Sequence, residues 1–207
     1  MARAALGEVP GHYRGRPVRF KNISTEQSRI TTRLFLIGPM GSGKSAIGRE
    51  LARRLKRKFL DSDQEIEQRT GVDIALIFEK EGEAGFRRRE RQVIEELTQK
   101  PDIVLATGGG AVLDPANRAC LKDRGFVIYL KASVTAQAGR TGHGGRRPLL
   151  DTPDRQARLH ELFEKRAPLY EELAQLTVIT EHGSVSVLAQ RILQELRAAA
   201  IIALPER

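Results

Sequence analysis

A chain of 207 residues can bury one α/β core and is too short for two domains of ordinary size. Its single cysteine, Cys120, excludes an internal disulfide and a multi-cysteine metal site and fits a reducing cytoplasm, and the apolar stretch 198–204 is far below the ~18–20 residues that span a bilayer. The net charge of +9 does not call for nucleic acid: residues 1–33 hold seven Arg and Lys against two Glu, leaving a surplus of four to everything after them, and with no Trp, three Tyr and seven Phe there are few platforms on which bases could stack.

In chain order, residues 1–32 mix Gly, Pro and Arg without apolar period, which predicts an unstructured arm. The arm is Arg-rich and acid-poor, as organelle transit peptides are, but has no amphipathic helix; a targeting or partner-binding segment is the alternative. Residues 33–198 alternate short β-rich runs with longer helical ones, and 199–207 read as a tail. Five strands are expected, at 33–37, 58–61, 103–106, 127–130 and 177–180, with intervals too long for hairpins. That pattern is a parallel sheet covered by helices, whose right-handed crossovers gather the loops after the strands along one edge, where ligands bind.

After the first of these strands comes Gly38-Pro39-Met40-Gly41-Ser42-Gly43-Lys44-Ser45, a phosphate-binding loop of the G-x-x-x-x-G-K-[ST] type. Its glycines allow the backbone to curl so that successive N–H groups and the positive end of the following helix face one anion, which Lys44 reaches as a mobile cation. Ser45 supplies a hydroxyl for Mg²⁺. After the second strand, Asp61 and Asp63 flank Ser62; in extended backbone both carboxylates face one way, one for Mg²⁺ and one for a substrate hydroxyl, unless Asp61 or Ser62 merely caps the helix at 64–69.

Phe86 and Glu90 share a face of the helical stretch 83–97, and Arg87 pairs with Glu90 at i+3; in isolation this is a surface salt bridge within a charged run. Thr107-Gly108-Gly109-Gly110 follows the third strand, where triple glycine means either backbone closely approaching a ligand or a plain flexible turn. Cys120 reads as a small buried hydrophobe on a helix. Residues 140–148 combine three glycines with three arginines, the composition of a mobile cationic flap, with His143 exposed on it.

Together these segments resemble shikimate kinase over roughly four fifths of the chain. The resemblance is carried by the loop at 38–45, Phe-Leu-Asp-Ser-Asp at 59–63, the stretch 77–87 ending Gly-Phe-Arg, Thr-Gly-Gly-Gly-Ala-Val at 107–112, Arg-Pro-Leu-Leu at 147–150 and Lys-Arg-Ala-Pro-Leu-Tyr at 165–170. It implies an α/β, P-loop, nucleoside-monophosphate-kinase-like fold with a five-stranded parallel sheet in the order 2-3-1-4-5, flanking helices and a mobile lid. It implies transfer of the γ-phosphoryl of ATP to the 3-hydroxyl of shikimate, with Mg²⁺ as cofactor. By position, Asp63 would bind the substrate hydroxyls and act as base, Arg87 and Arg166 would clamp the substrate carboxylate, and Gly109 would contact substrate through backbone. Phe78 and Phe86 would wall the pocket and Glu90 would orient Arg87.

The nucleotide would be held by Gly41, Ser42, Gly43, Lys44, Ser45 and Ala46, with Arg140 against adenine and Arg147 reaching the phosphates from the flap; Ser45 and Asp61 would organise the metal. Lys44, Asp63 and Arg147 form the implied catalytic set. Residues 180–184 lack the proline that members of the family often place against adenine, and the leader at 1–32 has no counterpart in a minimal member. The expected partner is the small-molecule substrate alone, without nucleic acid or membrane, for a cytoplasmic monomer. The rivals are a small P-loop kinase for another acceptor, such as gluconate, and a kinase-like sensor that does not turn its metabolite over.

Overall fold

The computed structural model describes residues 19–20, 31–141, 148–150, 152–181 and 183–202. The elements are β1 (Arg19–Phe20), β2 (Arg33–Ile37), α1 (Lys44–Leu55), β3 (Lys58–Asp61), α2 (Ser62–Thr70), α3 (Ile74–Leu97), β4 (Ile103–Ala106), α4 (Pro115–Arg124), β5 (Phe126–Lys131), α5 (Val134–Thr141), α6 (Arg155–Leu173), β6 (Leu176–Ile179) and α7 (Val185–Ala198). They build one sheet in the order β1-β6-β5-β2-β4-β3. Counted without β1, the five parallel strands run 2-3-1-4-5, the order that the family resemblance implies.

The centre of this sheet explains why its strands read as unbroken apolar runs. Leu34, Phe35, Leu36 and Ile37 are all fully buried, because helices cover both faces. Alternation then sends Phe35 and Ile37 into the core shared with α3, α4 and α6, and Leu34 and Leu36 into the core shared with α1 and α7. In register, Leu36 stands beside Ala106 on one side and Ile128 on the other, while Asp61 stands beside Ala106. The segments that leave β2, β3 and β4 therefore emerge side by side.

Helix starts show where a ligand could be accepted. Asp61, Asp73, Asp114, Asp154 and Ser184 cap α2, α3, α4, α6 and α7 with their side chains. By contrast, α1 begins at Gly43, which adopts the left-handed conformation at φ 90° and offers no side-chain cap. The first amides of α1 are thus left facing outward at the end of the phosphate loop.

Four expectations need correction. No loop separates β3 from α2: the chain enters the helix at Ser62, because Asp61 caps it directly. The arm at 1–32 is not without structure throughout, since Arg19–Phe20 pairs antiparallel with β6 at the open edge of the sheet. The presumed tail begins inside the core: Ile201 and Ile202 are buried against α1 and α7, and the Ile201 carbonyl accepts from Thr31 N at 2.8 Å, tying the end of the domain to its beginning. Strands β5 and β6 also begin one residue before the expected 127 and 177.

Candidate active site

The phosphate loop closes on its own lysine. Lys44 Nζ donates to the carbonyls of Gly38 at 2.9 Å and Pro39 at 2.7 Å, so its ammonium lies over the loop that would cradle an anion. Ser42 is fully buried beneath it, Gly41 takes φ 74° in the bend, and Ala46 is exposed on the first turn of α1. Arg140 on α5 donates to Gly41 O at 3.2 Å and to Thr180 O at 2.6 Å, bridging the phosphate loop to the segment after β6.

Ser45 Oγ donates to Asp61 Oδ2 at 2.6 Å, while Asp61 Oδ1 accepts from the amides of Asp63 and Gln64. Asp61 thus caps α2 through one oxygen and accepts from Ser45 through the other, so the cap does not use up the carboxylate. The pair is a hard-oxygen donor set at the mouth of the phosphate loop, which fits Mg²⁺ held by one or two protein oxygens, water and phosphate. Among the described residues no cluster of three His, Cys, Asp or Glu side chains forms a closed cage.

Asp63 lies in the first turn of α2, not in extended backbone, so its relation to Asp61 comes from the helix and not from strand alternation. It lines a cavity of about 330 Å³, in the size range of small-molecule sites. Its Oδ1 is buried without a hydrogen-bond partner among the described residues, and so is Oε1 of the fully buried Glu90. Burial, then the neighbouring carboxylates of Glu90 and Asp61, raise the Asp63 carboxyl from its ordinary 3.8 to about 7, against the pull of Lys44 and Arg87. Burial also drives Glu90 upward, opposed by Arg87 and Arg166.

The opposite wall is cationic. Within α3, Gly82 leaves the helical region at φ 67° and ψ −179°, and the helix resumes to carry Phe86, Arg87 and Glu90 into the cavity. Arg87 Nη1 donates to Glu90 Oε2 at 2.6 Å, and Nη2 donates to Glu83 Oε1 at 2.9 Å. The guanidinium also lies 5.2 Å from the Phe86 ring centroid, and Phe86 packs against Phe78 with centroids 4.9 Å apart. Arg166, buried on α6, reaches the cavity from across the sheet edge, and burial lowers its pKa. The bland reading of Arg87 as a surface pair fails because its Glu90 partner is sealed inside.

The floor between these walls is Gly108–Gly110. Gly108 N donates to Ser62 Oγ at 2.9 Å, which pins the glycine segment to the start of α2. Asp63, Phe78, Phe86, Arg87, Glu90, Gly109 and Arg166 therefore surround one cavity, which Met40 of the phosphate loop also lines. Arg147 and His143 lie outside the described residues; Pro148 and Leu149, just beyond them, border the cavity. Residues missed by the sequence reading are Met40, whose role depends on the curl of the loop, and Glu83, whose i+4 spacing to Arg87 is a legible signal. Cys120 is buried on α4 as expected and donates to Glu95 Oε2 at 2.8 Å, away from the cavity lining.

A family model described as shikimate kinase matches residues 40–197. The chain is 57% identical over 162 residues to a shikimate kinase of Thioalkalivibrio sulfidiphilus, covering 78% of this chain and 85% of that protein. It is 55% identical over 163 residues to a shikimate kinase of Legionella pneumophila strain Corby, covering 79% and 93%. A solved structure of shikimate kinase from Acinetobacter baumannii in complex with shikimate aligns with a TM-score of 0.80 at 47% identity, over 84% of this chain and 97% of that one. The match across most of the length, at these identities and on this sheet order, means that the chain belongs to the shikimate kinase family.

Proposed function

We propose that this chain transfers the γ-phosphoryl group of ATP to the 3-hydroxyl of shikimate, giving shikimate 3-phosphate and ADP, and that Asp63 is the group that takes the hydroxyl proton. The observation that carries the assignment of Asp63 is its buried carboxyl, raised to about 7, in a cavity that also holds two guanidinium groups. A base with a pKa near the working pH combines the correct charge state with useful basicity. Arg87 and Arg166 offer planar forks to the acceptor's carboxylate, and Gly109 offers backbone.

Gly41 to Ala46 hold the phosphates, and Arg140 borders the base. With nucleotide bound, Lys44 would exchange the neutral carbonyls of Gly38 and Pro39 for anionic phosphate oxygens, a stronger, charge-assisted pairing. Ser45 and Asp61 would hold Mg²⁺, which when bound offsets charge on the nucleotide phosphates. Arg147 would add a guanidinium to the transferred group from the flap. With so little covalent chemistry for the protein to perform, catalysis is positioning and electrostatics. The enzyme is read as a cytoplasmic monomer that binds small molecules and not nucleic acid; among the described residues no helix is long and apolar enough to cross a membrane.

Release of ADP with shikimate, compared with gluconate, tests this reading. Turnover that requires shikimate supports it; preference for gluconate, or no turnover with either, sinks it.

A further inference from the structure

Arg166 and Tyr170 stand one helical turn apart on α6, yet only Arg166 reaches the cavity. Tyr170 is completely buried behind it, its ring stacked on Tyr129 of β5 with centroids 5.0 Å apart and planes at 23°. Core packing would need only the ring. The hydroxyl, however, donates to the carbonyl oxygen of Gly109, in the glycine floor of the cavity. Burial drives the phenol's titration up, and the neighbouring Arg166 guanidinium pulls against it. With its one proton given to Gly109, the phenol oxygen still offers lone pairs toward the neighbouring cationic wall.

The link matters because both ends are otherwise loosely held. Arg166 Nε has no hydrogen-bond partner among the described residues although the side chain is buried. Gly109 carries no side chain with which to anchor its own peptide. We propose that Tyr170 is a positioning residue for the acceptor site: its hydroxyl holds the Arg166 fork and the Gly109 peptide at a fixed separation, so that an acceptor carboxylate meets a guanidinium already oriented. The proposal rests on the assignment of shikimate as acceptor. Tyr129 supplies the contrast, since its buried hydroxyl has no hydrogen-bond partner among the described residues and the residue does not line the cavity.

Steady-state kinetics of Tyr170→Phe and Tyr129→Phe, each keeping both rings, separate orientation from packing. Tyr170→Phe is expected to raise the KM for shikimate about tenfold or more, the scale of a lost hydrogen bond to a charged group. Its KM for ATP stays within about twofold, while Tyr129→Phe leaves both constants within about twofold of the parent. In an Arg166→Ala background the added effect of Tyr170→Phe on shikimate binding, read by calorimetric titration, shrinks to less than about threefold, because the group it orients is gone. An unchanged shikimate KM in Tyr170→Phe, equal shifts in the two Phe variants, or full additivity with Arg166→Ala overturns the proposal. Absence of shikimate turnover by the parent enzyme would instead overturn the acceptor assignment, a result separable from every one of these.

Discussion

The carboxyl groups of Asp63 and Glu90 converge on the α-carbon of Gly108 from two different helices: a Cβ placed there would lie 2.6 Å from an oxygen of each. Two acids can approach so closely because the residue between them has no side chain and because at least one can keep its proton. The triple glycine is therefore a close approach of backbone to functional side chains, and not merely a flexible turn.

Gly108→Ala should cost activity out of proportion to its size. The added methyl would meet the carboxylate ends of Asp63 and Glu90 while Gly108 is held to Ser62, so it is these two side chains that must move aside. A displacement near 1 Å at the proposed proton acceptor is worth about 10²-fold in rate. We expect kcat/KM for shikimate to fall by about that factor in a variant that still binds ATP, measured by coupled ADP release and nucleotide titration.

Asp63 should make the ligand-free protein less stable as pH rises. Its carboxyl titrates near 3.8 when exposed and near 7 when folded, so between those values the folded state holds the extra proton. Stability then falls as pH rises through that window, and the loss is complete above about 7. Asp63→Asn removes the titration and is expected to gain roughly 1–3 kcal/mol over the parent at pH 8 and little at pH 4. Denaturant midpoints at the two pH values check this; an equal gain at both contradicts it.

Arg87 and Arg140 should separate the two substrates. Arg87 divides its donors between the buried Glu90 and the exposed Glu83, a fork geometry that lysine cannot copy. Arg87→Lys is expected to raise the shikimate KM about tenfold or more with the ATP KM little changed. Arg140→Ala, which releases Gly41 and Thr180, should move the ATP KM and spare that for shikimate. Initial-rate measurements with each substrate varied in turn decide between this division and a shared loss.

Arg147→Ala should lower kcat by about 10³-fold or more with little change in shikimate binding, if its guanidinium acts on the transferred group alone. Single-turnover kinetics beside shikimate titration would show the split.

The readable parts of this molecule were those whose physics is local. The phosphate loop announces itself because its glycines, Lys44 and Ser45 are consecutive, and the buried strands because helices on both faces remove the polar half of the usual alternation. Sheet order followed from the family resemblance, while crossover rules placed only the loops along one edge. What stayed hidden depends on packing between distant segments. No spacing rule brings Asp63 to Glu90, which meet because α2 leaves β3 without a loop and α3 restarts after Gly82. Ile201 and Ile202 looked like tail because a short apolar pair is uninformative until α1 and α7 supply a groove for it. The two-residue strand β1 is too short for any periodicity to register.

The most direct measurement is ADP formation by the purified parent and Asp63→Ala enzymes, with and without shikimate, at saturating ATP and Mg²⁺. We expect turnover that depends on shikimate and falls by about 10²–10⁴-fold in Asp63→Ala while nucleotide binding persists, the range of a lost general base. Turnover that ignores shikimate, or an Asp63→Ala enzyme within a few-fold of the parent, would contradict the assignment of acceptor or base.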